Sequence, residues 1–317
     1  MSEQHPIVAV TGASGAGTTR VKETFDIIFR REGIQAAFVE SEHFRRYDRK
    51  ETQAVLAEAE RQGRTLSPYG PDANRFDLLE GLFKQYSQDG TGKIRRYITH
   101  EIAERTGEQE GVFTDWENLP AQSDLLFYEG LHGGVVARKW SRRKMSESHN
   151  PKVIVERRKS GQPSGVDVAQ YVDLLIGVVP VVNLEWMQKI KGDMDLRGCS
   201  DRETAQRIVA RMQDYIHFIT PQFSVTDINF QRIPIVDTSN PFVAGELPVE
   251  SETMVVIRFR EPARYDFPDM LKRIHGAAMS RPNSMVIPGG SMKQAIDVIC
   301  TPLIRELVDR KKRSVAS

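Results

Sequence analysis

Cysteine is nearly absent from this chain: among 317 residues only Cys199 and Cys300 carry thiols, roughly a hundred positions apart and without a CxxC pair. That scarcity argues against a disulfide framework, a thiolate metal site or a dithiol switch, and it points to a reducing compartment. A charge surplus is missing as well. The 44 basic and 43 acidic residues nearly cancel, so no overall positive field gathers nucleic acid or an anionic membrane. An anionic substrate must therefore be caught by local groups. Long apolar runs are lacking too. The most apolar stretch, 174–184, contains Pro180 and Asn183 and is too short to span a bilayer. Residues 1–6 are polar and lead straight into a strand, without the basic start and apolar middle of a signal peptide. The expectation is a cytoplasmic protein with no nucleic-acid or membrane partner.

What is present suits one large core. With 39% apolar and 27% charged residues, the chain reads as a single domain over 1–317. Residues 7–10 form a β-branched run, followed by a glycine-rich turn and a helical pattern with Val21, Phe25, Ile28 and Phe29 on one face. A second strand is expected at 36–39, with helices at 54–62 and 76–86, an alternation that predicts βαβ units and a parallel sheet. The runs 124–128 and 174–182 lack helical periodicity, as strands buried on both faces do. Further helices are expected at 183–191 and 201–215, strands at 254–259 and 285–287, and a last helix at 292–311 interrupted at Pro302. The stretch 137–170 mixes Arg, Lys, Ser, Gly and Pro and reads as a long basic surface loop.

Gly12-Ala13-Ser14-Gly15-Ala16-Gly17-Thr18-Thr19 follows a strand and opens a helix, the context of a phosphate-binding loop. The glycines at 12 and 17 allow backbone N–H groups to point inward at phosphates beside a helix N-terminus. Thr19 takes the Mg²⁺-ligand position, with Arg20 next to it. Thr18 stands where a lysine normally reaches the β and γ phosphates. A dehydrogenase turn would need glycine at position 16, where this chain has alanine, and no Tyr-x-x-x-Lys pair occurs. Glu129 ends a buried strand, where a fold with such a loop needs an acid near Mg²⁺. An acid that merely caps a turn is the alternative reading there.

Several segments together resemble bacterial phosphoribulokinases. They are the phosphate loop, Phe127-Tyr128-Glu129-Gly130-Leu131-His132-Gly133-Gly134, Val178-Val179-Pro180-Val181-Val182-Asn183-Leu184-Glu185-Trp186 and Thr220-Pro221-Gln222-Phe223-Ser224. The longest is Thr226-Asp227-Ile228-Asn229-Phe230-Gln231-Arg232, with Pro234 and the run 236–242 beyond it. That family's own phosphate loop also lacks the lysine. The resemblance implies an α/β P-loop fold of the nucleoside-monophosphate-kinase type, with a mainly parallel sheet in three layers. It also implies transfer of the γ-phosphoryl of Mg-ATP to the 1-hydroxyl of ribulose 5-phosphate, and a homo-oligomer.

Carried over by position, Glu129 and Thr19 would hold Mg²⁺, and Lys189 would supply the missing cation. Arg49 and Arg197 would hold substrate phosphates. Arg31, Arg232 and Arg258 would line an effector site for NADH and AMP. The family's acidic base lies in a Gly-Asp-x-Phe-His-Arg setting, whereas this chain reads Ser41-Glu42-His43-Phe44-Arg45-Arg46. The base is therefore expected at Glu42. Arg45 stands for a histidine near the sugar phosphate, and an expected arginine is Gly192, with Lys191 beside it. The basic loop is also longer than the family's. These departures gather on the acceptor side, which leaves two alternatives open: a kinase of another sugar phosphate or nucleoside, or a nucleotide sensor with little activity.

Overall fold

The computed structural model describes residues 4–12, 18–136, 165–197, 200–242 and 246–316. The order begins β1 (Ile7–Gly12), α1 (Thr18–Glu32), β2 (Ala36–Glu40), α2 (Arg49–Arg61), α3 (Phe76–Asp89), β3 (Lys93–Ile94), α4 (His100–Thr106), β4 (Glu117–Asn118) and β5 (Leu125–Gly130). It continues β6 (Leu174–Pro180), α5 (Val182–Arg197), α6 (Asp201–Asp214), β7 (Ile228–Pro234), β8 (Thr253–Phe259), α7 (Phe267–Arg273), β9 (Ala278–Arg281), β10 (Ser284–Pro288) and α8 (Met292–Ala316). Most of the expected basic loop, 137–164, lies outside the described residues. Its last residues return to the body, where Asp167 bridges Val136.

One eight-stranded sheet runs β2-β5-β1-β6-β7-β8-β10-β9. The pairs from β2 to β7 are parallel, and β8, β10 and β9 complete the sheet antiparallel. The fold class is thus the one expected. The order in which strands are added reverses at β1, which lies between β5 and β6, and such a switch point opens a crevice at the carboxyl ends of the strands. The sequence after β1 is the phosphate loop.

Helix α1 explains one side of the core. Val21, Phe25, Ile28 and Phe29 are all buried at the i, i+4, i+7, i+8 spacing of a helical stripe. Phe25 meets Phe127 of β5 at a centroid distance of 4.9 Å, and Phe29 meets Phe38 of β2 at 5.8 Å. Gly33 at φ +66 ends the helix in a left-handed turn. The opposite face of the sheet buries Leu126 and Tyr128 with Phe83 and Tyr86 of α3.

The amino ends of the parallel strands share a device that the sequence reading did not foresee. Asp124, Asp173 and Asp227 each stand just before a strand. Their carboxylates accept N–H groups of Gln35 at 2.7 Å, Ile7 at 2.9 Å and Leu175 at 2.8 Å, at the start of the neighbouring strand. Their own N–H groups donate to the carbonyls of the same three residues. Register is thereby fixed from below.

Two expectations need correction. The strand from 174 ends at Pro180 and α5 begins at Val182; proline has no N–H to continue the ladder. Helix α8 also runs through Pro302 without interruption. Burial of Ile296, Ile299, Cys300, Ile304, Leu307 and Val308 along one stripe outweighs the amide lost at the proline. Cys300 is a free, buried thiol, and burial pushes its pKa up. It is packing material.

Candidate active site

Because β2, β5, β1 and β6 are parallel, whatever follows each of them arrives at one edge. Three expected site residues reach that edge for that reason: Glu42 after β2, Glu129 near the end of β5, and Lys189 on the helix after β6. Residues 13–17 of the phosphate loop, Ala13 to Gly17, lie outside the described residues, as do the side chains of Thr18, Thr19, Arg20 and Arg197. Gly12 closes β1, paired with Val178.

Glu129 is half-buried and pairs in register with Val10 and with Glu40 of β2. Parallel partners share a face, so Glu129 and Glu40 are neighbouring carboxylates beside the start of α1. Lys22, one helical turn after Thr18, forms an ion pair with Glu40 and offsets part of that negative charge. Neither Lys22 nor Glu40 was singled out from sequence.

Glu42 sits in a single 3-10 turn, Ser41–Phe44. Both of its carboxylate oxygens are engaged. The Ser41 hydroxyl donates to Oε2, and Arg45 Nη2 donates to Oε1 at 3.1 Å. Burial alone would raise the Glu42 pKa, but the Arg45 charge and the Ser41 hydrogen bond outweigh it and hold the acid below its ordinary value. The side chain is still 34% exposed, so a substrate can reach it. Arg45 is steadied in turn, its guanidinium lying 4.7 Å from the centroid of the Tyr97 ring. Two departures from the family pattern, Ser41 and Arg45, thus converge on a third, Glu42.

Lys189 is largely buried and pairs with Glu185, one turn earlier on α5, at 2.5 Å. Burial would lower the Lys189 pKa, yet Glu185 and Tyr69 raise it above the ordinary lysine value, so the ammonium stays charged. Lys191 is exposed and lies about 200° around α5 from Lys189, on a different face. Arg49 opens α2 and pairs with Glu110 at 2.7 Å.

The three arginines expected at an effector site are not gathered within the chain. Arg31 binds Asp297 of α8 at 2.6 Å. Arg258 donates to the Phe223 carbonyl at 2.6 Å and is paired with Asn229 across β7 and β8. Arg232, three positions beyond Asn229, projects from the opposite face of the sheet.

Gln222, which nothing in the sequence marks beyond its Thr220–Ser224 motif, links the two strands that flank the site. Fully buried, its Oε1 accepts from Thr11 Oγ1 at 2.7 Å and from the Gly134 N–H at 2.9 Å. Its Nε2 donates to the carbonyls of Leu131 and Phe218 at 2.8 and 2.7 Å. One amide therefore joins the end of β1 to the turn after β5. Sequence separation of 211 residues between Thr11 and Gln222 hid the contact.

The donor set suits Mg²⁺. Carboxylate and hydroxyl oxygens are the hard ligands it prefers, and it is commonly held by one or two of them together with substrate phosphates. Among the described residues no group of three or more His, Cys, Asp or Glu could hold a metal ion.

A profile described as the Phosphoribulokinase / Uridine kinase family matches residues 7–239. The chain belongs to that family. It is 48% identical over 316 residues to the chromosomal phosphoribulokinase of Cupriavidus necator, covering 99% of each chain. Against the phosphoribulokinase of Nitrobacter vulgaris it is 47% identical, covering 99% of this chain and 100% of that one. A solved phosphoribulokinase from Rhodobacter spheroides superposes with a TM-score of 0.82 at 44% identity, over 98% of this chain and 100% of that chain. This is a family of kinases, and Glu42, Glu129 and Lys189 share the carboxyl edge of its parallel strands. Among the described residues no helix is long and apolar enough to cross a membrane.

Proposed function

We propose that this chain transfers the γ-phosphoryl group of ATP to the 1-hydroxyl of ribulose 5-phosphate, yielding ribulose 1,5-bisphosphate and ADP in the cytoplasm. The near-full-length likeness to proteins named phosphoribulokinase carries the reading, and the site supplies the parts. Phosphoryl transfer needs alignment, charge neutralisation and a base for the attacking hydroxyl. Glu42 accepts the proton from that hydroxyl. Its lowered pKa keeps it ionised at neutral pH.

Residues Gly12 to Arg20 cradle the ATP phosphates, and Lys189 provides the positive charge that Thr18 does not. Arg45, Arg49 and Arg197 attract the acceptor's phosphate, and Lys191, turned away from Lys189 on α5, adds to the positive charge that draws it in at longer range. Thr19 and Glu129 would hold Mg²⁺, which when bound neutralises and aligns the phosphate oxygens. NADH and AMP act through Arg31, Arg232 and Arg258. Since Arg232 and Arg258 face opposite sides of the sheet, a site using all three draws them from more than one copy, which links regulation to homo-oligomer formation.

The test is acceptor-dependent ADP release from Mg-ATP, with the product identified by phosphorus NMR. Ribulose 5-phosphate should turn over rapidly and give a bisphosphate, while ribose 5-phosphate and uridine should not. Turnover confined to another acceptor, or ATP binding with no acceptor-dependent release, would contradict the proposal.

A further inference from the structure

Lys189 is caged by residues that no motif connects. Its Nζ donates to the Tyr69 hydroxyl at 2.5 Å as well as to Glu185. The ammonium also lies 5.1 Å from the Tyr69 ring centroid and 5.4 Å from that of Tyr215. The two rings meet edge to face at 5.4 Å, and the Tyr215 hydroxyl donates to the second oxygen of Glu185 at 2.7 Å. Tyr69 itself is 5% exposed and belongs to the segment between α2 and α3, 120 residues from Lys189.

Its position is set from the other side of the site. The buried His132, three residues after Glu129, donates from Nε2 to the Tyr69 carbonyl at 3.0 Å. Burial drives the His132 pKa down to about 4, so the ring is neutral at physiological pH. Phe76 packs on it at 4.8 Å.

A lysine stem has four rotatable carbons and about 2 kcal/mol of rotamer entropy, so its ammonium is a poor electrostatic device unless held. A charge already aimed at the place where charge develops needs no reorganisation during reaction, and a displacement of about 1 Å can cost roughly a hundredfold. We infer that Tyr69 is a positioning residue for phosphoryl transfer: anchored by His132 to the turn after the acid strand, it fixes the Lys189 ammonium at the transferring group. The inference rests on the proposed role of Lys189. It gives His132 a task as the anchor, and it couples the carboxylate strand to the cation through one tyrosine.

The test compares Tyr69→Phe with the wild-type full chain, using Mg-ATP and ribulose 5-phosphate. Wild-type turnover in this assay reports on the reaction itself, so failure of that reading is seen separately. The groups facing Lys189 are Glu185 from α5, Tyr69 and Tyr215. Losing the Tyr69 hydroxyl removes one partner of the charged form, so the alkaline limb of kcat should move to lower pH. The expected result is a kcat about tenfold lower, with both KM values within about twofold and an unchanged melting temperature. In a Lys189→Met background the same substitution should change kcat by less than about twofold, because the two residues act as one unit. An unaltered kcat, an unmoved limb, or an equal loss in both backgrounds would overturn the inference.

Discussion

The amino edge of the parallel strands carries Asp124, Asp173 and Asp227, whose carboxylates accept backbone N–H groups of the strands beside them. The carboxyl edge carries Glu40 and Glu42, whose carboxylates are held by the side chains of Lys22, Ser41 and Arg45, with Glu129 alongside. Backbone partners cannot move without unfolding the sheet, whereas side-chain partners can exchange with a substrate. The same functional group is therefore a fastener at one edge and, in the proposed reaction, a reagent at the other. Substitutions at the amino edge should cost stability with little effect on the reaction. Those at the carboxyl edge should cost rate and leave the fold in place.

Gln222 breaks this division most sharply, since it sits at the carboxyl edge yet works as a fastener. Gln222→Leu takes the side-chain partner from the Gly134 N–H and the Phe218 carbonyl and leaves the Thr11 hydroxyl and the Leu131 carbonyl only each other, at 3.2 Å, and should destabilise the chain by about 2–3 kcal/mol. Chemical denaturation measures this, with kcat of the remaining folded enzyme falling as well. Asp173→Ala should cost about 2–3 kcal/mol by orphaning the buried Ile7 N–H, and the folded fraction should keep its kcat within about twofold.

Arg45→Ala acts on rate alone, lowering kcat/KM for ribulose 5-phosphate about tenfold with no change in melting. Its pH signature follows from sign. Arg45 opposes the burial that raises the Glu42 pKa, so without it the value rises and the acid limb of kcat/KM moves to higher pH. Ser41→Ala, which removes one neutral donor, should lower kcat about threefold. A melting loss in either carboxyl-edge variant as large as that of Asp173→Ala would erase the distinction.

Local order made much of this legible. A β-branched run, a glycine-rich turn and a 3.6-residue apolar stripe lie within residues 7–29, so β1 and α1 can be read directly, and the strand that carries Glu129 is marked by its apolar run. The parallel sheet then brings Glu42, Glu129 and Lys189 to one edge without any long-range clue in the sequence. What stayed hidden depends on distant partners. Tyr69 gains meaning only beside Lys189, Gln222 only between β1 and the turn after β5, and the three aspartates only once strand neighbours are known. Periodicity likewise cannot say that the packing of α8 overrides Pro302, or that Lys191 faces away from Lys189. The resemblance groups Arg31, Arg232 and Arg258 at one effector site, but register puts Arg232 and Arg258 on opposite faces.

The most direct test of the account is the ribulose 5-phosphate-dependent rate of Glu42→Gln, an uncharged side chain of nearly the same shape. If Glu42 is the base at an edge built for chemistry, kcat should fall on the order of a thousandfold while the melting temperature stays at the wild-type value. A rate within a few-fold of wild type would show that the proton leaves by another route and that Glu42 is only a surface acid.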